Sequence, residues 1–327
     1  MHGAISCQAL AERLAWPIWR RGKAAPRGTF KMHGRVAKGE QDLALGPDFL
    51  CIGMGKSGTG WLYDQCLHHP DFWMPPIKEL HYLDREQPRM ITAEALLGRL
   101  LDRHEEEGGG PWSGDDKKEL KFLKEAIEAR RKHMDLEFYA SMFRFKDERR
   151  SGDISPSYCS MPEDLIAQVL GRFPKIKVIL MMRDPVARAW SHFAMKNRGK
   201  KVATDKLRDP EKFMRVFEGS KAFRKGSPAT ITQKWLRHVP PGQYRYYFFD
   251  DLQSDPEGLR RDILQFLGAD PGKGDLDPGH NRKADKPKID ITPEIEAVLA
   301  EKFSGELRAC AAIFGGHAAQ WARKYGA

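Results

Sequence analysis

The sequence predicts an α/β fold: a three-layer domain with a central, mostly parallel sheet flanked by helices. Two observations carry this. Short apolar runs bounded by turn residues read as buried parallel strands, and segments with helical recurrence separate them, which implies βαβ units with right-handed crossovers. A third observation bounds the answer: 327 residues, 41% hydrophobic and 31% charged, suffice for a packed core and argue against global disorder.

The elements follow in chain order. Asp48 to Met54 is the first strand, Gly55-Lys56-Ser57-Gly58 a loop, and Thr59 the expected N-cap of a helix. Leu80 to Leu83 is expected as a short strand. Ala93 to Arg103 and Lys117 to Phe145 read as helical, separated by the loop Glu105 to Pro111. Gly152 to Ile154 is a second short strand candidate. Lys177 to Arg183 is an apolar strand, after which Asp184 and Pro185 suit a helix cap and first turn. Asn197 to Asp209 is a polar loop. Tyr244 to Phe249 is the last strand, followed by Asp250-Asp251, a helix from about Pro256 to Leu267, a loop from Asp270 to Lys288, and closing helices.

Residues 1–40 form a basic N-terminal extension ahead of a domain at 41–327. Arg13, Arg20, Arg21, Lys23, Arg27, Lys31, Arg35 and Lys38 face only Glu12 and Glu40. The extension is read as an arm over the domain, with peripheral contact to anionic lipid as the functional alternative. Lys and Arg outnumber Asp and Glu by 55 to 45, a net charge of +10 that suits an anionic ligand, a nucleic acid or an acidic surface without choosing among them. Basic-aromatic interleaving and a recognition helix are both missing, which argues against nucleic acid. The five cysteines include no CxxC and are read as reduced, so a cytoplasmic protein is expected, without signal peptide or membrane span.

A strand that ends in a glycine-rich loop and then a helix is an anion site. Loop N–H groups converge, the helix start carries partial positive charge, and Lys56 adds a full one. The domain is therefore P-loop-like. A metal-dependent small-molecule kinase is one reading of such a loop. Its motif needs a glycine five residues before the Gly55-Lys56 pair, where Leu50 stands, and a magnesium-binding Asp directly after a second strand, where Arg183 precedes Asp184. A basic lipid-surface or nucleic-acid binding module is the other alternative.

The run Phe49-Leu-Cys-Ile-Gly-Met-Gly-Lys-Ser-Gly-Thr-Gly-Trp-Leu62 resembles the 5′-phosphosulfate loop of sulfotransferases that use PAPS (3′-phosphoadenosine 5′-phosphosulfate). Cytosolic members carry a second threonine where Gly60 stands. Arg183-Asp-Pro-Val-Ala-Arg-Ala-Trp-Ser191 is similar to the family's 3′-phosphate signature, an Arg after a strand and a Ser on the next helix. The resemblance implies that Gly55, Lys56, Ser57, Gly58, Thr59, Gly60, Trp61, Arg183 and Ser191 hold PAPS or the product PAP. In it Trp61 either stacks on adenine or fills the core. Phe266-Leu-Gly268 matches a helix ending common in the family. The loop His280 to Pro287 resembles the basic loop over the donor, with Arg282 and Lys283 as phosphate contacts.

The segment Lys78-Glu-Leu-His-Tyr-Leu-Asp84 resembles the Lys-Glu-x-His-Phe-Phe-Asp run of carbohydrate sulfotransferases of the heparan-sulfate type. This implies Glu79 as catalytic base, supported by His81 and Asp84. Cytosolic members use a His base, so His81 is the alternative. As a strand, the segment would place Glu79 and His81 on one face. Asp153-Ile-Ser-Pro-Ser-Tyr158 departs from the heparan-type pattern, with Ile154 in place of a lysine, so the acceptor is not inferred from those enzymes and Ser155, Pro156 and Tyr158 are read as pocket wall. The implied reaction is sulfuryl transfer from PAPS to an acceptor hydroxyl on a carbohydrate or other alcohol, without a metal, with Lys56 neutralising the departing phosphate.

Overall fold

Among the described residues four strands run side by side, all parallel, in the order β2-β1-β3-β4. They are β1 (Phe49–Gly53), β2 (Gly152–Ile154), β3 (Lys177–Met182) and β4 (Tyr244–Phe248). The computed structural model describes residues 45–84, 90–128, 135–197, 209–219, 227–240, 242–281 and 289–327. The N-terminal extension, Arg282 and Lys283, and most of the loop expected at Asn197 to Asp209 lie outside the described residues.

The strands are largely apolar because both faces of the sheet are covered, with Asp153, Lys177 and Arg245 as their charged residues. Their side chains alternate between two separate cores. Leu50, Ile52, Val178, Leu180, Met182, Tyr244 and Tyr246 point to one. Phe49, Cys51, Ile154, Ile179, Met181 and Tyr247 point to the other. The second core is closed by α1 (Thr59–Leu67) and, near the end of the sheet sequence, by the helix Pro256–Leu267. The first is closed by a larger set of helices. Three layers result. Phe49 pairs with Gly152, and a Cβ on that glycine would lie 2.3 Å from the Phe49 ring, so the close approach of β1 and β2 requires a residue without a side chain.

The helices on the first core include, in chain order before β4, α2 (Met90–Glu106), α3 (Gly114–Glu128), α4 (Leu136–Ser141), α5 (Glu163–Arg172), α6 (Pro185–Asn197), α7 (Pro210–Glu218) and α8 (Pro228–Leu236). After β4 come α9 (Phe249–Ser254), α10 (Pro256–Leu267), α11 (Pro293–Phe314) and α12 (Gly316–Lys324). Asp184 begins α6 as expected, its Oδ1 accepting the N–H groups of Val186 and Ala187.

Three expectations are corrected. Leu80 to Leu83 is not a strand: Glu79 and His81 have φ of 62° and 55°, in the left-handed region, and a pleated strand cannot contain them. The helical run from Lys117 to Phe145 is broken, because Asp135 caps a new helix by accepting from Glu137 and Phe138 N–H, and Arg144–Lys146 forms a 3-10 turn. Thr59 is not the cap of α1. Gly58 occupies that position with φ 92°, and Thr59 is the first helical residue.

On the first core, Arg188 of α6 is buried, its Nε and Nη2 have no hydrogen-bond partner among the described residues, and Glu306 of α11 is its principal charged neighbour. Burial pushes the Glu306 carboxyl up to about 7, with Arg188 pulling it back. A carboxyl raised in the folded state favours folding while protonated, so this contribution is present below about pH 4.5 and lost as pH rises towards 7. Glu306→Gln is expected to raise stability at pH 8 by up to about 3 kcal/mol and to change little at pH 4. Denaturant titration at the two pH values measures it.

Candidate active site

The connection from β1 leads to β2 on one side, and the connection from β3 leads to β4 on the other. The chain therefore reverses its direction of winding between β1 and β3, and in open parallel sheets the carboxyl ends of such strands form the ligand crevice. The loop after β1 and the loop after β3 meet there.

The first loop turns sharply. Met54 N–H donates to Met181 O on β3, and Ser57 N–H returns to Met54 O at 3.2 Å. Lys56 adopts φ 76°, a left-handed conformation that costs a residue with a side chain on the order of 1–3 kcal/mol. Gly58 follows in the same region, and a Cβ there would meet Leu252 at 3.0 Å and Met181 at 3.3 Å. The glycine lets the loop lie flat on the second core. Ser57 is fully buried, and its Oγ has no hydrogen-bond partner among the described residues. Lys56 Nζ lies 3.7 Å from Met195 Sδ on α6.

The second loop brings Arg183. Its guanidinium stacks 4.4 Å from the centre of the Phe249 ring and its Nη1 donates to Lys56 O at 3.3 Å. Burial lowers the Arg183 pKa, opposed by the Asp184 and Asp250 carboxylates. Ser191 lies half-buried on α6. Lys56 and Arg183, separated by the whole α2–α5 region in sequence, are thus in direct contact.

The third part is the segment Lys78 to Asp84. Lys78 Nζ lies 3.4 Å from Glu79 Oε1, Glu79 Oε2 lies 3.4 Å from His81 Nε2, and His81 Nδ1 lies 3.0 Å from Asp84 Oδ1. Among the described residues, four that are not glycine have a left-handed φ, and Lys56, Glu79 and His81 are three of them. Such backbone persists only where surrounding contacts hold it.

Here the holding group is Asp153 on β2, which is buried. It accepts from Ser155 Oγ at 2.7 Å, Tyr158 OH at 2.6 Å and Tyr139 OH at 3.0 Å. Ser155 Oγ in turn accepts His81 N–H, and Tyr158 OH accepts Leu83 N–H. Burial raises the Asp153 pKa, opposed by the three hydroxyls. Tyr158→Phe removes a donor and an acceptor at once and leaves buried groups unpaired. It is expected to cost about 1–3 kcal/mol of stability, read by denaturant titration.

Ser157 was not singled out by sequence. Its Oγ lies 2.7 Å from His81 Nδ1, on a 3-10 turn (Pro156–Ser160) whose Pro156 Cβ lies 3.9 Å from a Cβ built on Gly55. This turn joins the loop after β1 to the Glu79 segment. The one available signal was its place inside the run Asp153 to Tyr158. Phe249, the platform under Arg183, was read only as the end of a strand.

Ile154 is buried in the second core, so its position sends no side chain to the loops. Trp61 is also buried in that core, and its indole N–H donates to Pro278 O at 2.7 Å. Beside it Gln65 Nε2 donates to Asp277 O at 2.9 Å, so α1 holds the segment that leads toward residues 282–288. No helix among the described residues is long and apolar enough to cross a membrane.

The solved structure of a sulfotransferase from Alicyclobacillus acidocaldarius superposes with a TM-score of 0.54 at 21% identity, covering 84% of this chain and 98% of that one, a likeness of fold. The mouse (Mus musculus) heparan sulfate glucosamine 3-O-sulfotransferases 3B1 and 3A1 are each 30% identical over 117 residues. Each match covers 35% of this chain and 30% of the mouse enzyme. A sequence model described as the sulfotransferase family matches residues 47–271, which takes in the phosphate loop, the Glu79 segment, Asp153 and Arg183. The chain belongs to the sulfotransferase family, and its central parallel sheet with flanking helices is that family's fold.

Proposed function

We propose that this sulfotransferase uses PAPS as donor and an alcohol, on a carbohydrate or a smaller molecule, as acceptor, by in-line displacement with Glu79 as base. The observation that carries the reading is the contact between Arg183 and the Lys56 carbonyl, which sets two anion-binding motifs side by side at the switch point. A nucleotide with phosphates at both ends of its ribose needs such a pair. The buried Ser57 hydroxyl, without a partner among the described residues, and the strained turn at Lys56 also fit an anion seated on the loop.

When bound, PAPS supplies an activated sulfuryl group with PAP as its leaving group. Lys56 places a full positive charge where negative charge develops on the departing oxygen, and loop N–H groups from Gly55 to Thr59 add partial charges. Arg183 offers a planar fork to the 3′-phosphate, and Ser191 a hydroxyl. Glu79 accepts the acceptor's proton. His81 is the poorer base on access: its side chain is 4% exposed against 23% for Glu79. His81 is engaged through Nδ1 by Asp84 and Ser157, and its Nε2 lies 3.4 Å from Glu79 Oε2. Trp61 is buried in the second core with its indole N–H on Pro278 O, which favours the core-filling reading over an adenine platform. Among the described residues Cys51, Cys66, Cys159 and Cys310 are free and buried, which suits a reducing, cytoplasm-like compartment.

Arg183→Ala is expected to weaken PAP by about a hundredfold and adenosine 5′-phosphate by less than about threefold. Equal weakening, measured by calorimetry, removes the 3′-phosphate role. The reaction is tested with sulfur-labelled PAPS and a panel of desulfated heparan oligosaccharides and simple alcohols. Label in a hydroxyl ester that depends on Lys56 supports the proposal. Label that moves to none of them, nor to water, contradicts it.

A further inference from the structure

Arg183 has two acidic neighbours, Asp184 and Asp250, whose charges both act on it. It forms an ion pair with neither among the described residues. Instead the guanidinium lies over Phe249 and reaches Lys56 O. The two carboxylates are engaged elsewhere, and by the last helix of the fold. Trp321 Nε1 donates to Asp250 Oδ1 at 2.9 Å, and Tyr325 OH donates to Asp184 Oδ2 at 2.7 Å. Asp184 Oδ1 is already spent on capping α6.

The seating of α12 is built for these bonds. The rings of His317 and Trp321 each meet Phe248 edge-on at 5.3 Å, and His317 Nε2 lies 2.9 Å from Asp251 Oδ1. Tyr325 OH is also 3.3 Å from Glu296 Oε1, which Lys324 Nζ holds at 2.8 Å. Neutral donors thus occupy the carboxylates without cancelling the cation. A carboxylate turned onto Arg183 would neutralise it and would repel a phosphate as well.

We propose that Trp321 and Tyr325 are positioning residues for the 3′-phosphate arm: by holding Asp250 and Asp184 they keep Arg183 unpaired and presented to the nucleotide. The inference rests on the reading of Arg183 given above. It assigns to the last helix and the residue that follows it a share in nucleotide selectivity.

The test is calorimetry of the full chain with PAP and with adenosine 5′-phosphate, on Trp321→Phe, Tyr325→Phe and the double variant Trp321→Phe/Asp250→Asn. Each single variant is expected to bind PAP about five- to tenfold more weakly and adenosine 5′-phosphate within about twofold of wild type. The double variant regains PAP affinity, because the carboxylate that would capture Arg183 is gone, an outcome that a merely structural role for Trp321 does not produce. Single variants that lose both nucleotides equally, lose neither, or are not rescued overturn the inference. Should Trp321→Phe not fold, Tyr325→Phe decides by the same comparison. If wild type itself binds the two nucleotides equally, the Arg183 reading fails; if wild type discriminates and the variants do too, this inference alone fails.

Discussion

Lys56→Ala is expected to lower the turnover of sulfuryl transfer by about a hundred- to a thousandfold, or about 3–4 kcal/mol of transition-state stabilisation. The magnitude follows from where the charge is needed. The sulfuryl group leaves behind a phosphate whose bridging oxygen gains negative charge, and in the proposed site Lys56 supplies the full charge aimed at it. Its ammonium reaches toward α6, 3.7 Å from Met195 Sδ, and its carbonyl receives Arg183. Losing the side chain leaves the carbonyl contact in place, so the loop is expected to keep its shape. PAP affinity should fall much less than turnover, since the effect is concentrated in the transition state. Lys56→Met, which keeps the length without the charge, is expected to match Lys56→Ala. Rates within about threefold of wild type in both variants would remove Lys56 from the chemistry.

Glu79→Gln is expected to reduce transfer by about three orders of magnitude while PAP affinity stays within about twofold. Gln keeps the size of the side chain and its contacts with Lys78 and His81 in outline, but cannot take a proton. A loss of PAP binding instead would make Glu79 a structural residue of the left-handed turn. The reverse pattern, with Glu79→Gln active and His81→Gln dead, would move the base to His81. Rates for the two variants at saturating donor separate the three outcomes.

Much of this site is visible in the residues themselves. The strand at Phe49, the loop at Gly55 to Gly58 and the strand before Arg183 are legible because a buried parallel strand is apolar throughout and a phosphate loop needs glycine at fixed places. Finding two motifs in order leads to the expectation that Lys56 and Arg183 act together; the fold adds that they touch. The Glu79 segment shows where such reading stops. Period-two alternation expected a strand with Glu79 and His81 on one face. The two side chains do approach, at 3.4 Å, but through a left-handed turn held by Asp153, Ser155 and Tyr158 from β2 and the turn after it. No local pattern announces a backbone conformation imposed by hydrogen bonds from seventy residues away. The same holds for Ser157 and for Trp321 and Tyr325, whose partners are set by packing and not by spacing. Thr59 was expected to cap α1 because threonine is a good cap, yet the tight packing of Leu252, Met181 and Phe249 against position 58 selects a glycine there.

In the proposed reading the loop after β1 and the arm after β3 together form a site for a doubly phosphorylated nucleotide that needs no metal ion. Calorimetry in EDTA, titrating PAP into the full chain, tests it most directly, with ATP and magnesium as the comparison. One PAP bound per chain in EDTA, with magnesium-ATP binding at least about a hundredfold more weakly, is the predicted result. No PAP binding in EDTA, or tighter binding of magnesium-ATP, would contradict it.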